Sequence, residues 1–276
     1  MKQKLLITLF SFGLLIGCKT QVTQTESSKI TTINTNIPVR EHSIQAILWQ
    51  QQSAEYRALT YQAFNLARLQ LDNILNAKNE FDKPIAIVTD IDETILDNSP
   101  YSGKQVELDE EYTSSRWKEW VTLKNAKAIP GAVDFFQYAK SKGVEVFYIS
   151  NRKTLQKKET IANLIKVGFP FADQSHVFLK DATSGKLDRR LEVMKSHNIV
   201  MFLGDNLSDF SIVFEKSTTE IRNKNADSLR LDFGKKFIVL PNPLYGDWET
   251  NGVYEGNYKW STFQKDSIRR KKITSY

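Results

Sequence analysis

The chain has one cysteine, Cys18, and three histidines among 276 residues. A single thiol cannot form an intrachain disulfide, so even in an oxidising compartment the fold rests on its core. His42, His176 and His197 show no ligand spacing, and no catalytic role is assigned to them. No apolar run is long enough for a confident membrane span. Internal repeats are absent. Net charge is also scarce away from the ends. Lys and Arg number 38 against 32 Asp and Glu, a net charge of +6. Two of those lysines are Lys2 and Lys4, and the last twelve residues, KDSIRRKKITSY, carry five basic side chains and one acidic. The stretch between is balanced, so the basic isoelectric point does not argue for a nucleic acid polymer as partner. The tail reads as a solvated end.

At the start of the chain, Lys2 and Lys4 precede LLITLFSFGLLIG, which holds no acidic residue. A charged start, a short apolar region and a small residue before the break describe an export signal over 1–17. The break falls at Cys18, in LLIGC. This resembles a bacterial lipoprotein signal, in which the cysteine becomes the first residue and carries lipid; two or more acyl chains would hold the protein stably on a bilayer. Residues 19–40 are rich in Thr, Ser, Asn and Gln, so 18–40 reads as a lipid anchor and flexible tether.

From Glu41 to Asn79 apolar residues recur at three- and four-residue steps, which predicts one long helix or two shorter ones. After Pro84 the pattern alternates. Apolar runs at 85–88, 144–149, 176–179, 199–203 and 237–240 predict strands, and helical patterns at 132–141, 154–166 and 187–196 separate the first four. Strands joined through helices mean βαβ units and a mostly parallel sheet. Because the runs do not alternate with polar residues, the sheet should be covered on both faces. The fold class is therefore α/β.

Chemistry gathers where strands end. The first strand runs into TDIDET, the second into SNR, the fourth into GDNLSD. In open α/β sheets that edge binds ligands. Asp90, Asp92, Glu93 and Asp97 arrive within eight positions. Carboxylates so close repel unless a cation, a proton or basic neighbours compensate.

DIDET (90–94) with LDNSPY (96–101), SNR (150–152), Lys186 and GDNLSDF (204–210) resemble the four motifs of the haloacid dehalogenase (HAD) superfamily. The lipoprotein signal, PGAVDFF, FYISNR and LPNPLYGDWE are similar to its class C acid phosphatases, the lipoprotein e branch of bacterial outer-membrane 5′-nucleotidases. The resemblance covers about 41–262. It implies a HAD-like Rossmannoid core over about 81–99 and 129–262, with a smaller, mainly helical subdomain from about 41–80 and 100–128. It implies a magnesium-dependent phosphomonoesterase acting on 5′-nucleotides such as AMP or nicotinamide mononucleotide. Asp90 would be the nucleophile, and Asp92 the acid for the leaving oxygen and later the base for water. The two should titrate as a coupled pair, Asp90 ionised and Asp92 protonated, which favours acidic operation. Mg²⁺ would be held by the Asp90 side chain, the Asp92 backbone carbonyl and Asp205, with Asp209 orienting the ligands or the lysine. Asn151 and Lys186 would bind phosphoryl oxygens; Lys180, directly after the third strand, is the rival lysine. Glu93 would brace the turn, and Asp97 with Asn98 would bond local backbone. Trp117, from the insertion before PGAVDFF, and Tyr245 would sandwich the substrate's ring. The sequence departs from this branch at Lys104, where tryptophan is frequent. A homodimer and an outer-membrane location follow from the same resemblance. Alternative functions are a broad-specificity phosphomonoesterase, a phosphotransferase, or a non-catalytic ligand-binding lipoprotein; the presence of Asp90 speaks against the last.

Overall fold

The structure, a computed structural model, describes residues 37–77 and 81–276. Cys18, the expected export signal and nearly all of the tether lie outside the described residues. Among those described, no helix is long and apolar enough to cross a membrane.

Helices α1 (Ile44–Gln52) and α2 (Ala54–Asn76) come first. Ser53 separates them. Its backbone is extended, and its hydroxyl accepts from the Tyr56 N–H at 3.0 Å, so it ends one helix and caps the next. The apolar periodicity thus resolves into two helices. Ala63, Phe64, Ala67 and Leu71 of α2 are buried in the same cluster as strand residues Ile87 and Tyr148.

Five strands form one parallel sheet: β1 (Ile85–Thr89), β4 (Glu145–Lys153), β5 (Val177–Lys180), β6 (Asn198–Gly204) and β7 (Phe237–Val239), in the order β5-β4-β1-β6-β7. Alternate residues of one strand enter opposite layers. Ile87, Val146, Tyr148, Met201 and Leu203 face the larger core. Ala86, Val88, Phe147, Ile149 and Phe202 face the smaller. Both faces are dry, which is why the strands read as unbroken apolar runs.

A short antiparallel pair, β2 (Leu96–Asp97) with β3 (Lys127–Ala128), closes the base of an insertion. The insertion carries α3 (Ser99–Leu108), packed against α1, and α4 (Ser114–Leu123). The remaining helices are α5 (Ala132–Ser141), α6 (Lys157–Val167), α7 (Leu187–Met194), α8 (Thr219–Ser228) and the basic α9 (Thr262–Lys272). Parallel pairing puts the carboxyl ends of β1, β4 and β6 side by side, with β1 central.

Candidate active site

Asp90 follows β1 directly, and its N–H donates to the Leu203 carbonyl at 3.0 Å, which ties it to the end of β6. The DIDET turn then closes on itself. Ile95 and Leu96 N–H groups both bond the Ile91 carbonyl, and Glu93 sits in the left-handed region at φ 58° while its N–H donates to Leu96 O at 2.9 Å.

From β6, Gly204 leads into Asp205 and a short capped turn. Asn206 and Asp209 form a reciprocal cap, with the Asn206 N–H donating to Asp209 Oδ2 at 3.1 Å. Residue 204 must be glycine for steric reasons. A Cβ there would lie 2.6 Å from both Cβ and Oδ2 of Asp209.

Asp90, Asp205 and Asp209 can each offer an oxygen such that all three lie within 4.8 Å of one another. The Lys186 ammonium, at the start of α7, enters from the side. It bonds Asp90 Oδ1 and pairs with Asp209 Oδ1 at 2.7 Å. Lys180 is half-buried at the end of β5, and its carbonyl accepts from the Thr154 hydroxyl. The lysine at Asp90 is therefore Lys186. Asp205 is held by Thr94 Oγ1 and Asn242 Nδ2, each donating at 2.8 Å.

The electrostatics follow from this crowding. Burial pushes the Asp90 carboxyl well above its usual range; Lys186 opposes, while Asp209, Asp205 and Asp92 add to the rise. Burial and then the Asp209 charge push Asp205 up to about 7. Burial works against the Lys186 ammonium, but Asp209 and Asp90 outweigh it, so the lysine holds its proton more firmly than usual. One buried ammonium against three carboxylates leaves an excess of negative charge. The donors are all hard oxygens, so the set fits a divalent cation such as magnesium, calcium or manganese.

Asp92 points elsewhere. Its carboxylate accepts from Arg152 Nε at 3.0 Å and Nη2 at 2.7 Å, and from Asn98 Nδ2 at 2.8 Å. Asn98 in turn accepts from Trp120 Nε1 at 2.8 Å, so the insertion is bolted to the motif turn. Asn151 is exposed at the end of β4, and its Oδ1 accepts from Arg189 Nη2 at 2.8 Å. Trp117 packs edge-on against Tyr101, centroids 5.0 Å apart, with the Arg152 guanidinium 5.5 Å from its ring. The Tyr245 hydroxyl is sunk against buried Glu93 and donates to Oε2, while the residue as a whole keeps 38 % of its surface exposed. Burial first, then the charge on Asp92, raises Glu93 well above the carboxylate range.

Arg152, Arg189, Thr94 and Asn242 escaped the sequence reading as individual site residues. Arg152 lay within SNR and Asn242 within LPNPLYGDWE. Arg189 left only the weak sign of an arginine one helical turn after the lysine.

A carboxylate cluster with a buried lysine, on the carboxyl edge of a parallel sheet, is the arrangement that the resemblance to the HAD superfamily implies. Comparison with known proteins narrows it. The sequence model for HAD superfamily, subfamily IIIB (acid phosphatase) matches residues 2–248, and the chain belongs to that family. The class C acid phosphatase from Bacillus anthracis, solved with tungstate bound, superposes with a TM-score of 0.83 at 42 % identity, covering 87 % of this chain and 100 % of that one. The stem 28 kDa glycoprotein of Glycine max is 30 % identical over 205 residues, 71 % of this chain and 70 % of that protein. Acid phosphatase 1 of Solanum lycopersicum is 26 % identical over 194 residues, 64 % of this chain and 68 % of that protein. The protein is a phosphomonoesterase.

Proposed function

We propose that this phosphatase is a magnesium-dependent 5′-nucleotidase that works through an aspartyl-phosphate. The observation that carries the reading is Asp90, buried beside Lys186 with Asp205 and Asp209 within ligand spacing. In the first step an Asp90 carboxylate oxygen attacks phosphorus and the ester P–O bond breaks, with Asp92, turned from Arg152 and carrying a proton, giving that proton to the departing oxygen. In the second, Asp92 takes a proton from water, the oxygen of that water attacks phosphorus, and the bond to Asp90 breaks to release phosphate. Lys186 and Asn151 neutralise and hydrogen-bond the non-bridging oxygens. Asp90, the Asp92 carbonyl and Asp205 would hold Mg²⁺, with Asp209 orienting the lysine; the cation would supply positive charge against the phosphoryl oxygens. The Bacillus anthracis relative binds tungstate, a tetrahedral oxyanion like phosphate, which supports an oxyanion site of this kind.

The leaving group would lie between the sheet edge and the helical insertion. Part-exposed Tyr245 and the Trp117 ring beside Arg152 support a platform for a base or nicotinamide. The signal ending in LLIGC supports a lipid anchor at Cys18 and an extracytoplasmic, outer-membrane location, with a homodimer as the assembly. The physiological task is salvage, turning charged nucleotides into nucleosides that can be imported.

The test is phosphate release by a soluble protein starting at Lys19, with AMP, nicotinamide mononucleotide and an aryl phosphate near pH 5.5, with magnesium or chelator. Magnesium-dependent turnover favouring both nucleotides is expected. Turnover of the aryl phosphate alone would sink the nucleotide platform, and full activity in chelator would sink the metal.

A further inference from the structure

Arg189 lies in the first turn of α7, three residues after Lys186. Its guanidinium makes four hydrogen bonds, all to the end of β4 and the loop before α7, the two segments that carry the proposed phosphate donors. Nη1 donates to the Ser150 carbonyl at 2.6 Å. Nη2 donates to Asn151 Oδ1 at 2.8 Å, to the Gly185 carbonyl at 3.1 Å and to the Ser184 carbonyl at 3.3 Å. The end of β4 and the loop delivering Lys186 are thus stitched together by one planar fork.

The contact with Asn151 has a chemical consequence. A side-chain amide offers an acceptor on one side and two donors on the other, and it can rotate to present either. Arginine has donors only. With the Asn151 oxygen claimed by Arg189, the NH₂ group must face away, and a flipped amide would set donor against donor. Among the described residues Asn151 Nδ2 has no protein partner. It is free to meet an anion.

We infer that Arg189 is a positioning residue: it fixes the Asn151 amide with its NH₂ outward and locks the Lys186 loop to β4, so that both phosphate donors are set together before substrate arrives. The inference rests on the roles proposed for Asn151 and Lys186. Without Arg189, Asn151 would present its oxygen to phosphate part of the time, and a donor would become a repulsive acceptor.

A double-mutant cycle tests this. kcat and KM for an aryl phosphate, and inhibition by inorganic phosphate, are measured for Arg189→Met, Asn151→Ala, the double variant and Arg189→Lys. A lost charge-stabilising donor lowers kcat by roughly 10²-fold. Arg189→Met and Asn151→Ala should each approach that loss and weaken phosphate inhibition. The double variant should be within a few-fold of Asn151→Ala alone, because the two residues act as one unit. Arg189→Lys should recover little, since an ammonium cannot span both β4 and the Lys186 loop. Free guanidinium should restore part of the activity of Arg189→Met and none of the double variant's. Multiplying effects in the double variant, or wild-type kcat in Arg189→Met beside an impaired Asn151→Ala, would overturn the inference. Wild-type kcat in Asn151→Ala would instead refute the role given to Asn151, and the inference with it.

Discussion

Replacing Lys186 by methionine keeps the apolar stem and removes the ammonium that Asp90 and Asp209 share. Both carboxylates are buried, and Asp205 lies within ligand spacing of them. Removing one partner of a buried pair typically costs about 3–5 kcal/mol, because a charge is left uncompensated. For a domain of this size each kcal/mol moves the thermal midpoint by about 2–4 °C, which gives a drop of about 6–20 °C. Two conditions should shrink it. Acid allows Asp90 to take up the proton that its burial already favours. Magnesium would supply a substitute positive charge. Thermal unfolding of wild type and Lys186→Met should therefore differ most in chelator at pH 7.5 and least with magnesium at pH 5.5. Phosphate release should fall by at least ~10²-fold under both, since magnesium could not replace the donor to phosphoryl oxygens that the proposed mechanism makes of Lys186. Lys180→Met is the control, with both properties near wild type. Equal midpoints for wild type and Lys186→Met in chelator at pH 7.5 would refute the reasoning, because the three carboxylates would then need no ammonium.

Two further outcomes follow from the same charges. In the chelated protein Asp90, Glu93 and Asp205 bind protons more tightly folded than unfolded, Asp205 with a value of about 7. Their contribution to stability is complete below the unfolded carboxyl range near pH 4 and is lost as pH rises through the folded values. Unfolding midpoints in chelator should fall between about pH 4 and 8, and added magnesium should raise the midpoint more at pH 8 than at pH 5; a chelated protein that gains stability over this range would contradict the cluster. Tyr245→Phe removes the hydroxyl that serves Glu93 but keeps the ring, so denaturant unfolding should show a loss of about 1–3 kcal/mol with little change in KM for a nucleotide. Tyr245→Ala should raise that KM roughly 5- to 150-fold, the equivalent of one stacked ring, and equal KM values for both variants would remove the ring from recognition.

What the sequence by itself determined was local. Unbroken apolar runs announced strands buried on two faces, and the residues just past them announced the ligand edge, because strand direction and burial are written in neighbouring positions. Asp90, Asp205 and Lys186 were legible as a motif set and stand together in the structure. The same sequence left open whether Lys180 or Lys186 reaches Asp90, and it left Arg189 unmarked. The resemblance assigned Tyr245 to a platform without revealing that its hydroxyl donates to Glu93. Those answers depend on pairs far apart in the chain: Tyr245 and Glu93 are 152 positions apart, Thr94 and Asp205 111. Only the order β5-β4-β1-β6-β7, with β1 in the centre, brings such residues to one edge. Spacing along the chain carries no record of that order. The tertiary structure decided it by burying both faces of the sheet at once, and it thereby chose which side chains compensate the buried charge.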